Sequence, residues 1–262
     1  MLRFVRTTAL ILASQVATAC STTSLAPPSA SPASQQTERG LGSAPYAKGL
    51  LALYSFNGTL KDSSGNGHDA TDSGKPTYVK GAPFGGKAIA FDGSGSAIVS
   101  APLDISIATI PQLSMGGWFK ATSIQYSRYG VVSNDDGNYD RTLDIDDRDK
   151  GGGVKWSAFI GGSVVGKVRV VPGKWVFAAV TYDQSTLPGK YAFYVRHGKK
   201  MKVLRGADNF DGDSITTSVT IGSNPNFDEP FAGDAANVFF YVGILTKKQM
   251  KDIAAHGPSK IP

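Results

Sequence analysis

Val154-Lys155-Trp156-Ser157-Ala158-Phe159-Ile160 alternates: Val154, Trp156, Ala158 and Ile160 fall on one side of an extended chain, and Lys155, Ser157 and Phe159 on the other. Successive side chains of a β-strand point to opposite faces, so this period of two predicts a strand with one face turned to a core. Lys150-Gly151-Gly152-Gly153 just before it has the composition of a tight turn.

The same signature continues in both directions. Short runs of β-branched and aromatic residues, separated by Gly, Asn, Asp and Pro, predict strands near Leu51–Phe56, Ala88–Asp92, Ala97–Ser100, Leu113–Lys120, Gly130–Ser133 and Arg141–Ile145. Beyond the central strand they predict Val164–Val170, Trp175–Tyr182, Tyr191–Arg196, Val219–Gly222 and Ala236–Leu245. Strands at this spacing, in a chain of 262 residues with 31 glycines, imply one all-β domain of two packed antiparallel sheets over residues 47–257, with 258–262 as a tail. One segment has helical period. Thr246-Lys247-Lys248-Gln249 has the form of a capping box, Met250, Ile253 and Ala254 share a face, and Gly257-Pro258 stops the run. This short helix is expected to dock on the sandwich edge.

Residues 1–19 read as a signal peptide: Arg3 and Arg6 are followed by a short apolar run and by Ala17-Thr18-Ala19. The apolar run is too short for a bilayer, which needs about 20 residues. Cys20, the sole cysteine, cannot form an internal disulfide. Residues 20–46 are Ser-, Pro-, Ala- and Thr-rich, a composition that buries too little to fold and predicts a flexible tether. The formal charge is +6. Its densest concentration, Arg196–Arg205, reads as a solvated hairpin rim, because no aromatics interleave to stack bases; no nucleic-acid partner is expected.

Several blocks, in order, carry a family resemblance: Leu53–Gly67 with its Asp62-Ser63-Ser64-Gly65-Asn66-Gly67 loop, Phe84–Gly93, Ser114–Lys120, Trp175–Asp183, Tyr191–Lys199 and Ile221-Gly222-Ser223. Together they resemble the laminin-G-like jelly-roll domains of the concanavalin A-like lectin/glucanase group. The resemblance implies a two-sheet jelly-roll sandwich. Trp118 and Trp175 sit inside alternating strands and, as large aromatics, are expected in the core. Ala17-Thr18-Ala19-Cys20 resembles a bacterial lipobox, although Ala17 stands where leucine is usual. That implies lipidation of Cys20 and an outer-membrane anchor in a Gram-negative envelope; ordinary secretory cleavage to a periplasmic or secreted protein is the alternative. Such domains often hold one structural Ca2+, for which Asp62, Ser64 and Asn66 are the candidate ligands, since calcium takes six to eight oxygens. The equal alternative is a turn in which Asp62 and Asn66 bond local amides. The family's G-x-I-D-D-V strand reads Gly233-Asp234-Ala235-Ala236-Asn237-Val238 here, so both paired aspartates are missing.

Related glycosidases carry E-x-D-x-x-E on one strand, and Asp144, Asp146 and Asp149 have that spacing. All three are one methylene short of glutamate and near a turn, so a solvated acidic strand end is expected, with sugar or cation contact next and weak hydrolysis last. Tyr126, Tyr129 and Tyr139 lie in polar sequence with Asp136 and Asn138. Aromatic faces can stack on sugars while carboxylates and amides orient hydroxyls. These residues, with Asp144 and Asp146, are the candidate carbohydrate contacts. The expected function is an envelope-anchored, non-enzymatic binding module for a glycan or polysaccharide; an envelope protein is the alternative partner.

Overall fold

The computed structural model describes residues 46–74, 77–95, 98–137, 139–149, 151–160, 162–209, 216–226 and 228–262. The leader, Cys20, the tether and Asn138 lie outside them. In chain order the strands are β1 (Gly49–Tyr54), β2 (Thr71–Asp72), β3 (Thr77–Lys80), β4 (Lys87–Asp92), β5 (Val99–Ala101), β6 (Gln112–Ala121), β7 (Arg128–Ser133) and β8 (Thr142–Asp146). They continue with β9 (Lys155–Ile160), β10 (Ser163–Arg169), β11 (Val176–Asp183), β12 (Gly189–His197), β13 (Lys200–Asp208), β14 (Val219–Ile221) and β15 (Ala232–Val242), followed by helix α1 (Lys247–His256).

Two antiparallel sheets form. One runs β13-β12-β11-β6-β15-β4-β3, with β1 also paired to β15; the other runs β10-β9-β8-β7-β14-β5-β2. Between them lies the core that alternation predicts. Trp156 and Ala158 of β9, Leu143 and Ile145 of β8, and Val132 of β7 meet Met115, Phe119, Val180, Phe193 and Phe240 of the first sheet. The Trp156 ring sits 6.2 Å from Phe119 and 6.5 Å from Phe231.

The capping box forms as expected: the Gln249 amide donates to Thr246 Oγ1 at 3.3 Å, and the Thr246 amide donates to Gln249 Oε1 at 2.8 Å. The helix does not dock on an edge. It lies across the outer face of the first sheet, where Met250, Ile253 and Ala254 join Trp118, Phe177 and Phe239 in a second apolar cluster. The reason is in β6, β11 and β15, whose outward residues are aromatic and need a cover. Trp118 is therefore buried under the helix and not between the sheets. Trp175 is half-buried, with the Lys120 ammonium 5.1 Å above its ring.

Every predicted strand is present, and three more appear. β2 and β3 are short. β13 occupies the charged stretch read as a rim: an edge strand with lysines along it, a composition that discourages pairing with other chains.

Candidate functional site

The β15 strand begins at Ala232 and runs eleven residues to Val242, where β1 starts opposite it at Gly49. At about 3.3 Å per residue the two ends are roughly 30 Å apart. The described domain thus begins at one pole, beside Tyr46 and Lys48, and a cavity opens at the other.

Three segments converge on that far pole. Gly93, with φ of 79°, turns the chain after β4, close against Ala232. Gly130 on β7 admits the segment that precedes β15: a Cβ there would lie 2.5 Å from the Asn224 amide nitrogen and 2.6 Å from the Ser223 carbonyl carbon. Its own amide donates to the Glu229 carbonyl at 2.8 Å. Asn224 Nδ2 donates to Asp228 Oδ1 at 2.6 Å, and the Asp228 amide donates back to Asn224 Oδ1 at 3.2 Å, which fixes that segment's turn. The third segment precedes β7, where the Tyr126 amide donates to Tyr129 Oη at 2.6 Å.

Together they enclose a cavity of about 620 Å³, bordered by Gly93, Ser94, Tyr126, Ser127, Arg128, Asp228, Glu229 and Pro230. Tyr126 is 62% exposed, so its ring offers a free face. Ser94, Ser127 and Arg128 can donate hydrogen bonds, and Asp228 and Glu229 can accept them. Burial raises the Glu229 pKa and Asp228 adds to that, while Arg148 opposes it. One aromatic platform beside convergent polar groups suits a polyhydroxylated ligand.

Of the predicted contacts, Tyr126 alone borders this cavity. Tyr129 is a correction: it is 1% exposed, its ring lies in the sandwich core, and its hydroxyl anchors Tyr126. Its position on β7, inward of the loop, removes it from any ligand. Tyr139 is 38% exposed with φ of 62°, and its ring faces Phe159 at 5.3 Å. Asp136 is half-buried, and its carbonyl accepts from Asn226 Nδ2 at 3.4 Å. Sequence reasoning missed Arg128, Asp228 and Glu229. The turn-rich run Asn224-Pro225-Asn226 ahead of them was the available signal.

The acidic strand also differs from expectation. Asp144 and Asp146 alternate with the inward Leu143 and Ile145, so they project from the outer face of the second sheet, yet they are 2% and 0% exposed. A solvated strand end is overturned, because Arg148 folds back over it. Its Nε and an Nη donate to Asp146 Oδ2 at 2.8 and 2.5 Å, and its guanidinium covers the rings of Tyr139 at 5.5 Å and Phe159 at 5.3 Å. Asp144 sits between Gly130 and Ser157 on the flanking strands. Neither of its carboxyl oxygens has a hydrogen-bond partner among the described residues. Burial, then the charges of Asp146 and Glu229, hold its pKa well above the usual carboxylate range. Asp149 is paired with Lys155 at 2.6 Å. Hydrolysis with retention needs two carboxyls flanking the scissile bond, one of them an ionised nucleophile. Asp144, Asp146 and Asp149 present no such open pair.

The loop proposed for calcium is organised as a turn. Asp62 accepts from the amides of Leu53 (2.9 Å), Ser64 (2.8 Å) and His68 (3.2 Å) and from the Ser64 hydroxyl (2.8 Å). Asn66 Nδ2 donates to the carbonyls of Leu50 and Leu51 at 2.8 and 3.0 Å. Burial alone would raise the Asp62 pKa, but these donors outweigh it and hold the carboxylate below its usual range. With its oxygens committed to N–H and O–H donors, this set does not fit a calcium ion. No group of three or more His, Cys, Asp or Glu placed to hold a metal occurs among the described residues. At the altered family position Asn237 sits in a β15 bulge with φ of 50°, a conformation asparagine tolerates well.

The two packed antiparallel sheets define a jelly-roll sandwich. A profile of the concanavalin A-like lectin/glucanases superfamily matches residues 91–251, more than half of the chain, and the protein belongs to that superfamily. Domain 4 of AbnA, an extracellular arabinanase of family GH43 from Geobacillus stearothermophilus, solved in complex with arabinotriose, is similar with a TM-score of 0.57 and 23% identity. The match covers 79% of this chain and 98% of that one. The receptor-binding domain of botulinum neurotoxin type G gives a TM-score of 0.55 at 14% identity, over 80% of this chain and 51% of that one. A botulinum neurotoxin type C structure, whose cell entry depends on two ganglioside molecules, gives 0.55 at 16%, over 79% and 51%. This chain thus spans about half the length of the toxin chains it resembles. No curated protein matches it.

Proposed function

We propose that this protein is a non-catalytic carbohydrate-binding module whose site is the cavity between Tyr126, Arg128, Asp228 and Glu229. The observation that carries this reading is the exposed Tyr126 ring, held by its own amide against Tyr129 Oη, beside about 620 Å³ of space bordered by charged and hydroxyl groups. The sugar stacks a C–H face on Tyr126, Arg128 donates to its hydroxyls, and Asp228 and Glu229 accept from them. Domain 4 of the arabinanase, solved with arabinotriose, lends support as a relative in fold. Further support comes from the closed state of Asp144, Asp146 and Asp149.

The envelope anchor belongs to the same proposal. Cys20 carries the lipid and residues 20–46 form the tether between it and the domain. Calorimetric titration of arabino-oligosaccharides and a glycan array test the site. Binding that falls at least tenfold in Tyr126→Ala and in Glu229→Gln is expected. No glycan signal in the unmodified protein, together with a crosslinked envelope protein, would replace the sugar by a protein partner. A Cys20→Ala variant that stays in the membrane fraction would remove the lipid anchor.

A further inference from the structure

A second site lies on the opposite edge of the first sheet, where helix α1 passes over β12 and β13. Lys247, Lys251 and Ala255 follow each other at intervals of four on α1, which places them on one side of the helix. That side borders two cavities. One, of about 390 Å³, is bounded by Lys190, Arg205 and Lys247; the other, of about 450 Å³, by Arg196, Lys199, Lys200, Lys202 and Lys251. Lys190 and Arg196 are six residues apart on the same strand, so the two cavities span roughly 20 Å along β12.

By alternation Lys190 and Arg196 share the helix-side face of β12 with Ala192 and Tyr194, and Arg205 that of β13 with Met201 and Val203, whereas Lys200 and Lys202 fall on the other face. With Lys247 and Lys251, five cations from three elements border one track. None of them forms an ion pair with a described residue, whereas Lys120, Arg148 and Lys155 elsewhere are matched to Asp234, Asp146 and Asp149. Among the described residues, the one carboxylate bordering the track, Asp183, accepts from Gln112 Nε2 at 3.0 Å and Ser185 Oγ at 2.7 Å. Like charges held this close repel one another, and a polyanion relieves that repulsion.

The geometry points to a linear acidic polysaccharide, bound through its carboxylates along this track, as a second ligand of the protein. The shape selects a chain over a surface. The track is recessed between helix and sheet, and the exposed large apolar side chains of the described residues (Phe84, Ile124, Tyr126, Tyr139 and Val171) all lie outside it, so nothing beside the cations inserts into a bilayer. Its chemistry selects sugar acids over single-stranded nucleic acid. The aromatics bordering it, Tyr191 and Tyr194, are 4% and 3% exposed and offer no face for stacking bases. The track shares no residue with the Tyr126 cavity and stands whether or not that cavity binds a neutral sugar.

The test is binding of polygalacturonate oligomers to the full chain, with arabinotriose as the neutral probe, and with phosphatidylglycerol vesicles and oligothymidylate as the other polyanions. The expected result is polygalacturonate binding that weakens as salt rises and falls roughly tenfold or more in Arg205→Glu/Lys251→Glu. Lys190→Glu/Lys247→Glu reads the same track independently should the first pair perturb folding. Lys61→Glu/Lys167→Glu, the same charge change away from the track, should retain binding. Equal loss in that control pair, no polygalacturonate binding, or preferential capture of vesicles or oligothymidylate would overturn the proposal.

Discussion

Replacing Asp144 with asparagine should flatten the pH dependence of stability. In the unfolded chain an aspartate titrates near 3.9. In the folded protein the Asp144 carboxyl is buried, lacks hydrogen-bond partners among the described residues and faces the charges of Asp146 and Glu229, so its proton is held to a much higher pH. Between those two pKa values the folded state binds one proton more than the unfolded state. Stability is then full below the unfolded value, falls as pH rises, and levels off once the folded value is passed. The steepest slope one proton can give is about a factor of ten in the folding constant per pH unit. Asparagine cannot titrate, so its curve should lack this component, and the variant should overtake the unmodified protein on the alkaline side. Glu229, whose pKa is also raised, stays in both proteins, so the difference between the curves reports Asp144 together with its coupling to Glu229. Urea unfolding followed by tryptophan fluorescence, at intervals from about pH 4 to 8.5, makes the measurement. Parallel curves across that range would refute the buried, protonated assignment.

The two tyrosines three residues apart should separate cleanly: Tyr129→Ala, which empties a core position, is expected to cost about 3–5 kcal/mol, whereas Tyr126→Ala should leave the urea midpoint almost unchanged. Gly130→Ala forces a methyl against the backbone of Ser223 and Asn224, and should lose about 1–3 kcal/mol along with sugar affinity, both readable in unfolding and titration. Ile253→Ala, beneath the helix, should cost about 2–5 kcal/mol by the same unfolding assay. A thermal melt with and without chelator should give the same midpoint, because Asp62 is already saturated by amides and a hydroxyl; a fall on chelation would reinstate calcium at the Asp62 loop or elsewhere.

The sandwich was legible because its strands are amphipathic at short range. Val154–Ile160 reports its own two faces without knowledge of any partner, and the strand it predicts lies within one residue of the observed one. Helix α1 was legible for the same reason, through a capping box and a face set by three residues. What local pattern does not contain is where a third layer goes. Trp118 alternates correctly and is buried, yet nothing nearby in sequence tells that its cover is a helix some 130 residues later and not the opposite sheet. β13 was hidden by its charge, since an edge strand that avoids aggregation resembles a solvated loop in composition.

The candidate site was harder still, for a reason visible in Asp144 and Tyr126. Both stand among polar neighbours, and from sequence alone both look solvent-facing. Their difference is made by residues distant along the chain. Gly130 lets the segment at residues 223–226 and 228–229 lie over the sheet, and Arg148 closes over Asp146, so a strand that reads as acidic surface is covered. That same segment brings Asp228 and Glu229 beside Tyr126 and makes a cavity where sequence indicated only an aromatic in a loop. One crossing of the chain over Gly130 thus helps cover the acidic strand and opens a cavity at the pole. The closure and the opening should fail together in Gly130→Ala: as the segment lifts, Asp144 gains solvent and loses its raised pKa while Tyr126 loses its polar partners. A variant that lost sugar binding yet kept the steep pH dependence of stability would show that the two are held by separate contacts.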